Sequence, residues 1–312
     1  LKSAPDNQRA FSNILLTLNY APDTQQTDIL AEHRQWQNRY GRNIKIRKHT
    51  NVREPDRRLR IGYISPDMRS HSVASFFEPL LMEHDADVVE IFCYSSVPRP
   101  DTVTERLMAL SHHWRDISRM CDADITNQIR HDQIDILIDL SGHTSNNHLT
   151  VFLHKPAPVQ VTWLGYPNTT GLDTIDYRLT DAIADPAGRA DQLHTETLVR
   201  LENGFLCYQP PGATPAVSEA PSARSGHITF GSFNNLPKVN KNVIALWSEI
   251  LLALPGSRLL LKSKALSDAG TRQRYLDLFE QHGVSGQRVD LHGKLPRQED
   301  HLGFYSRVDI GL

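Results

Sequence analysis

Apolar and polar positions along this 312-residue chain change period several times, and each change marks an element. Near the start Phe11, Ile14, Leu15 and Leu18 recur at helical spacing, and a second helical stretch runs through Ile29, Leu30 and Trp36. From Leu59 onward, short apolar runs alternate with amphipathic stretches. The runs predict strands over 59–64, 89–95, 134–140, 159–164, 175–179 and 198–201, and the stretches predict helices over 73–83, 103–110, 125–130 and 148–153. A second block repeats the pattern, with strands over 228–230, 258–261, 289–291 and 308–312 and helices over 242–254, 271–282 and 299–306. Short, wholly apolar strands separated by helices belong to parallel sheets covered on both faces. The fold class is therefore α/β, as two doubly wound, Rossmann-like domains.

Punctuation divides the chain. The segment 1–56 reads as a helical connector from something upstream, because it has too few helices to bury a core and begins within Leu1-Lys2-Ser3-Ala4-Pro5-Asp6 without a cap. The charged stretch Arg53–Arg58, which contains Pro55, marks its end. A first domain over 57–209 is followed by a Pro/Ala/Ser/Gly-rich linker over 210–226 and a second domain over 227–312. The chain stops where a strand is about to enter its loop, so the second domain is expected to be incomplete.

Composition narrows the class without naming a function. A net charge of -2 with 22% charged residues gives no basic field for nucleic acid and no acidic tail. Any anion must be recognised locally. Cys93, Cys121 and Cys207 are far apart in sequence and form no CxxC pair, which argues against a zinc knuckle or a disulfide-stapled secreted domain and favours a reducing cytoplasm. No apolar run is long enough to span a membrane, and no leader pattern is present.

Three loops carry candidate chemistry, each just beyond a predicted strand, where α/β sheets bind ligands. Gly231-Ser232-Phe233-Asn234-Asn235-Leu236-Pro237-Lys238 offers amides for a sugar hydroxyl and an ammonium for a phosphate. An ordinary strand-to-helix loop with a solvated lysine fits that local pattern equally well. In Ser65-Pro66-Asp67-Met68-Arg69-Ser70-His71-Ser72-Val73, Ser70 or Ser72 is expected to cap the next helix, leaving free N–H groups for an anion beside Asp67 and His71. Taken alone, that Asp-x-x-x-His is better read as a turn and an exposed neighbour of the cap. After the strand at 134–140 comes Asp139-Leu140-Ser141-Gly142-His143-Thr144, with Asn146, Asn147 and His148 behind it; the His143/His148 spacing fits no standard metal pair. A further run, Trp163-Leu164-Gly165-Tyr166-Pro167-Asn168-Thr169-Thr170-Gly171, puts Trp163 in an apolar strand and makes a turn-rich loop suited to an acceptor or sugar pocket.

Taken together, Pro156-Ala157-Pro158-Val159-Gln160 with Trp163–Gly171, the Asp67…His71 loop, and Phe233-Asn234-Asn235…Lys238 resemble the O-GlcNAc transferase/SPINDLY family of GT-B glycosyltransferases, in a wording closer to SPINDLY-like and bacterial members. The similarity runs from about Asn13 to the last residue. The resemblance implies inverting, metal-independent transfer of a sugar from UDP-GlcNAc or GDP-fucose to a Ser or Thr hydroxyl of a protein, with tetratricopeptide repeats upstream and neither nucleic acid nor membrane as partner. Carried over by position, Lys238 would hold the diphosphate, Asp67 would assist proton removal through water, and His71 would sit beside the sugar and phosphates. Ser72, Val73, Asn234, Asn235 and His301 would serve the donor, His301 near the nucleoside. Gly165, Tyr166, Pro167, Thr169 and Thr170 would line the acceptor or sugar pocket. Two departures stand out: the histidine ahead of the animal catalytic domain has no match around Phe11–Asn13, and the Thr-rich phosphate loop expected after Leu312 is absent. A sugar-nucleotide epimerase and a non-enzymatic binding module remain as other classes. No GxGxxG follows a predicted strand, which disfavours an NAD enzyme.

Overall fold

The computed structural model describes residues 7–210, 214–295 and 298–312; the Leu1–Asp6 start of the expected connector and residues 211–213 of the expected linker lie outside them. Apart from Tyr20–Pro22, which group with the second, the chain divides at Gln209 and Pro210 into two compact units. The first contains α1 (Gln8–Leu18), α2 (Gln26–Tyr40), β1 (Leu59–Ser65), α3 (Ala74–Met82), β2 (Val89–Ser95), α4 (Thr102–Leu110), β3 (His113–Asp116), α5 (Asp122–His131), β4 (Ile136–Asp139), α6 (Leu149–Leu153), β5 (Val159–Thr162), β6 (Tyr177–Thr180) and β7 (Thr197–Arg200). The second contains α7 (Ser222–Ser225), β8 (Thr229–Ser232), α8 (Lys241–Ala253), β9 (Arg258–Lys262), α9 (Ala269–Gln281), β10 (Val289–His292), α10 (Gln298–Gly303) and β11 (Ile310–Gly311).

Every strand pair in the first unit is parallel, in the order β3-β2-β1-β4-β5-β6-β7. Successive strand residues face opposite sides. Ile64, Phe92 and Leu137 enter one core with Phe11, Leu15 and Trp36 of the first two helices and Ile125, Ile129 and Phe152 of α5 and α6. Their neighbours Tyr63, Ile91 and Ile138 enter another with Phe77 and Leu81 of α3 and Leu107 of α4. The first two helices are thus part of this unit's hydrophobic core. Phe11, Leu15 and Trp36 are almost fully buried there, and burying a side chain of that size stabilises by about 1.5–3 kcal/mol.

The second sheet is also parallel, ordered β10-β9-β8-β11. Phe230, Ile244, Trp247, Leu259, Leu261 and Phe279 make its core. Sequence patterning located most of these elements to within a few residues but passed over β3 and the four-residue α7, which lies within the stretch expected as linker. That strand reads His-Trp-Arg-Asp at the sheet's edge, so it carries no apolar run. The strand expected over 175–179 begins two residues later, because Ile175 packs in the core ahead of it. Helix 299–306 ends at Gly303, where a 3-10 turn takes over, and the strand expected over 308–312 narrows to Ile310–Gly311. Among the described residues no helix is long and apolar enough to cross a membrane.

Candidate functional site

In the first sheet the strand order reverses between β1 and β4, and the crevice beyond strand ends at such a reversal is where open α/β sheets bind ligands. A cleft of about 810 Å³ opens there. Its walls come from the loops after β1, β2, β3 and β4, together with one face of α1.

Asp67 is placed by a turn at the end of β1. Its N–H donates to Ser65 Oγ at 2.9 Å, and its carbonyl accepts from the Arg69 N–H at 2.8 Å. The carboxylate is largely buried, with Oδ1 3.5 Å from Arg69 and 3.8 Å from His71 Nε2. The Val73 N–H donates to His71 Nδ1 at 3.3 Å. A neutral His71 ring therefore carries its proton on Nε2, the nitrogen nearer Asp67.

The same bond corrects the expected anion site. Neither Ser70 nor Ser72 caps α3, whose first turn is closed by backbone bonds, and the amide of Val73 is occupied by the imidazole. The Ser70 N–H goes instead to Asp101, which caps α4 in a reciprocal box with Thr104.

Behind the cleft the polar side chains are braced. Asp139, at the end of β4, accepts from the N–H groups of Ser141 (3.0 Å) and Gly142 (2.8 Å) and from the Thr162 hydroxyl (2.9 Å). Burial pushes its carboxyl above the usual range despite those bonds. His143 is fully buried: Nε2–H donates to the Thr170 carbonyl at 2.8 Å, so Nδ1 accepts from Ser12 Oγ of α1 at 3.1 Å. His33 of α2 donates from Nδ1 to the Ile29 carbonyl and accepts from the Tyr166 hydroxyl at 2.8 Å, which also takes a bond from Asn19. Burial lowers His33 to about 4 and takes His143 well below its ordinary value.

These bonds redirect the loop expected to line an acceptor pocket. Tyr166, Thr169 and Thr170 are turned inward, both threonine hydroxyls donating to Glu196, which also accepts the Thr170 N–H at 2.7 Å. Arg178 donates to the Tyr166 and Asn168 carbonyls. Of the residues expected there, Pro167 is exposed and Gly165 half-buried. A Cβ on Gly165 would lie 1.9 Å from the Leu140 carbonyl oxygen, and one on Gly142 would lie 2.2 Å from Tyr166 Cβ. The loops after β4 and β5 therefore pack backbone against backbone. Sequence reading missed Ser12, His33 and Glu196, for which no local pattern signals a bond across more than a hundred residues or to a loop well upstream.

At the C-terminal rim of the second sheet, a cavity of about 290 Å³ lies against Gly231, Ser232, Phe233, Asn234 and Tyr305. Asn234, Asn235 and Lys238 are exposed, the last closing a 3-10 turn over Leu236–Lys238. That turn is anchored by buried Leu236 and Val239 and by the Tyr275 hydroxyl, which donates to both their carbonyls. Among the described residues nothing bonds to the Lys238 ammonium. His301 packs on Phe233 and accepts from Lys262 Nζ at 2.6 Å through Nδ1; burial and that ammonium lower its pKa. The structure thus brings Asp67 and His71 together on the first unit and sets Lys238, Asn234 and Asn235 on one loop of the second.

The family model of glycosyl transferase family 41 matches residues 42–209. The whole chain is 44% identical to a Solanum lycopersicum protein and 42% identical to an Arabidopsis thaliana one, each described as a probable UDP-N-acetylglucosamine–peptide N-acetylglucosaminyltransferase SPINDLY. In both cases it spans 34% of the relative, about a third of its length. A solved structure of a Thermobaculum terrenum O-GlcNAc transferase mutant superposes on all of the chain with a TM-score of 0.94 at 40% identity, with 59% of that protein covered.

Proposed function

The chain belongs to glycosyl transferase family 41, and on that premise we propose that it moves a sugar from a nucleotide-diphosphate donor to a Ser or Thr hydroxyl of a protein. The observation that carries the reading is the Asp67 carboxylate beside His71 on the wall of a roomy polar cleft, at the sheet position where α/β folds bind ligands. The donor we assign is UDP-N-acetylglucosamine, supported by the descriptions of the relatives.

The step is a single displacement with inversion. The acceptor oxygen bonds to the anomeric carbon as the bond from that carbon to the diphosphate breaks, and the electron pair leaves with the diphosphate. The hydroxyl proton passes through water to Asp67, whose neighbours Arg69 and His71 hold it in place. Lys238, with no competing partner among the described residues, opposes the charge that grows on the leaving diphosphate, so the step uses no metal. Asn234 and Asn235 on the same loop, together with His301, serve the donor. The unbridged Cys93, Cys121 and Cys207 support a reducing, cytoplasmic setting.

The protein, UDP-N-acetylglucosamine and a Ser/Thr peptide, followed by mass spectrometry, should yield a peptide heavier by one N-acetylhexosamine residue, at the same rate in EDTA. A deoxyhexose added from GDP-fucose instead would replace the donor assignment. An altered nucleotide sugar with unmodified peptide would point to an epimerase and refute transfer. Loss of activity on chelation would refute the metal-free step.

A further inference from the structure

The charges on the cleft wall are unevenly matched. Three carboxylates face it, and each is engaged. Asp67 lies between Arg69 and His71. Asp101 accepts the N–H groups of Ser70, Val103 and Thr104 at 2.8, 3.0 and 3.0 Å. Asp122 takes His148 Nδ1 at 3.2 Å and the Thr150 hydroxyl. Of the three arginines on the wall, only Arg69 has a carboxylate partner. Arg9, on α1, and Arg99, on the loop after β2, are exposed, and among the described residues neither makes an ion pair or hydrogen bond.

Arg9 stands on a helix that is held in place. It shares a helix face with Ser12 and Asn13, three and four positions on along α1, and both of these, like Gln8 beside it, are on the wall. That helix cannot easily turn. Phe11 and Leu15 are in the core, Ser12 is bonded to His143, and Asn19 bonds to both Tyr166 and Asn168. Arg99 follows Pro98 and precedes Pro100, whose fixed backbone angles limit the loop on both sides.

We propose that Arg9 and Arg99 select acceptor segments that carry Asp or Glu close to the modified Ser or Thr. The proposal rests on the protein-acceptor reading above and names the class of acceptor for that same cleft. A guanidinium suits the task because its planar fork accepts a carboxylate at two points. Because both arginines are exposed, each contact is modest and screened by salt, so the preference is one of affinity and partner choice. Two such contacts correspond to roughly a three- to tenfold preference at low salt that shrinks when ionic strength is raised.

The test measures binding and transfer on one peptide set. Fluorescence anisotropy gives Kd for three Ser/Thr peptides that differ only in flanking residues (neutral, two Asp, or two Lys) with the wild-type protein and with Arg9→Glu, Arg99→Glu and the double variant. The acidic peptide should bind about three- to tenfold more tightly than the neutral one. That preference should fall in each single variant, reverse in the double variant and fade in about 0.5 M salt. Equal affinities for acidic and neutral peptides, or an acidic preference that survives in the double variant, would overturn the proposal. Transfer to the same peptides separates the two readings: the preference in binding, with no sugar moved onto any peptide, would sink the protein-acceptor reading and with it the role given to these arginines.

Discussion

The two sheet rims present similar chemistry on opposite mechanical principles. At the first, polar side chains are interlocked: His143 joins α1 to the loop after β5, Tyr166 donates to His33 of α2 and accepts from Asn19, and Glu196 takes three donors from Thr169 and Thr170. At the second, Lys238 and Asn235 stand exposed on a short turn held mainly through its backbone and two buried apolar residues. The difference separates two kinds of side chain. A change among the interlocked residues His33, His143, Tyr166 and Glu196 acts through stability, whereas a change at exposed Lys238 or Asn235 leaves the fold alone.

Lys238→Met tests the open rim and should have the largest effect. Turnover should fall by about a hundredfold to a thousandfold, equivalent to about 2.7–4 kcal/mol, because a charge facing the departing diphosphate is worth more in the transition state than in the ground state. The donor KM should change far less, and the urea midpoint should not move. A raised KM with kcat intact would show that the lysine only anchors the ground state.

Glu196→Ala tests the braced rim. It leaves a buried amide and two buried hydroxyls without their acceptor, which should lower the stability of the first unit by about 3 kcal/mol. Urea unfolding checks this, and a loss below about 1 kcal/mol would mean the brace is ornamental.

Acid should separate the rims more gently. Burial holds His33 at about 4, with Glu196 opposing that shift and His194 adding to it, and holds His143 low with help from His33. A histidine depressed in the fold binds a proton more readily once unfolded, so its stabilisation is complete above the ordinary value near 6.5 and is lost as pH falls from there toward about 4. The expected slope is about 1.4 kcal/mol per pH unit for each ring. His292 and His301 of the second unit are also lowered, though both are far less buried. Hydrogen exchange at pH 7 and pH 5 should therefore show first-unit amides losing more protection than second-unit amides; equal losses would erase the contrast.

What could be read in the sequence follows the same division. The strands with wholly apolar runs were legible, as was the position of Asp67, His71 and Lys238 just past strand ends, because both depend on nearest neighbours in the chain. The brace was not legible. Ser12 meets His143 and His33 meets Tyr166 across 131 and 133 residues, and no periodicity encodes such meetings. Thr169 and Thr170 misled for a related reason: a polar, turn-rich stretch normally faces water, but here Glu196 supplies the buried acceptor that lets both threonines turn inward. The first two helices looked too few to bury a core because the sheet that completes that core begins near Leu59.

The contact between Gly142 and Tyr166, and between Gly165 and the Leu140 carbonyl, has a consequence for how this molecule can change over generations. Neither glycine has room for even one added methyl group: at Gly142 the obstacle is the Tyr166 side chain, and at Gly165 it is backbone that no side-chain substitution removes. Heritable variation is thereby steered away from this loop contact and toward exposed side chains such as Arg9 and Arg99, which can be exchanged one at a time.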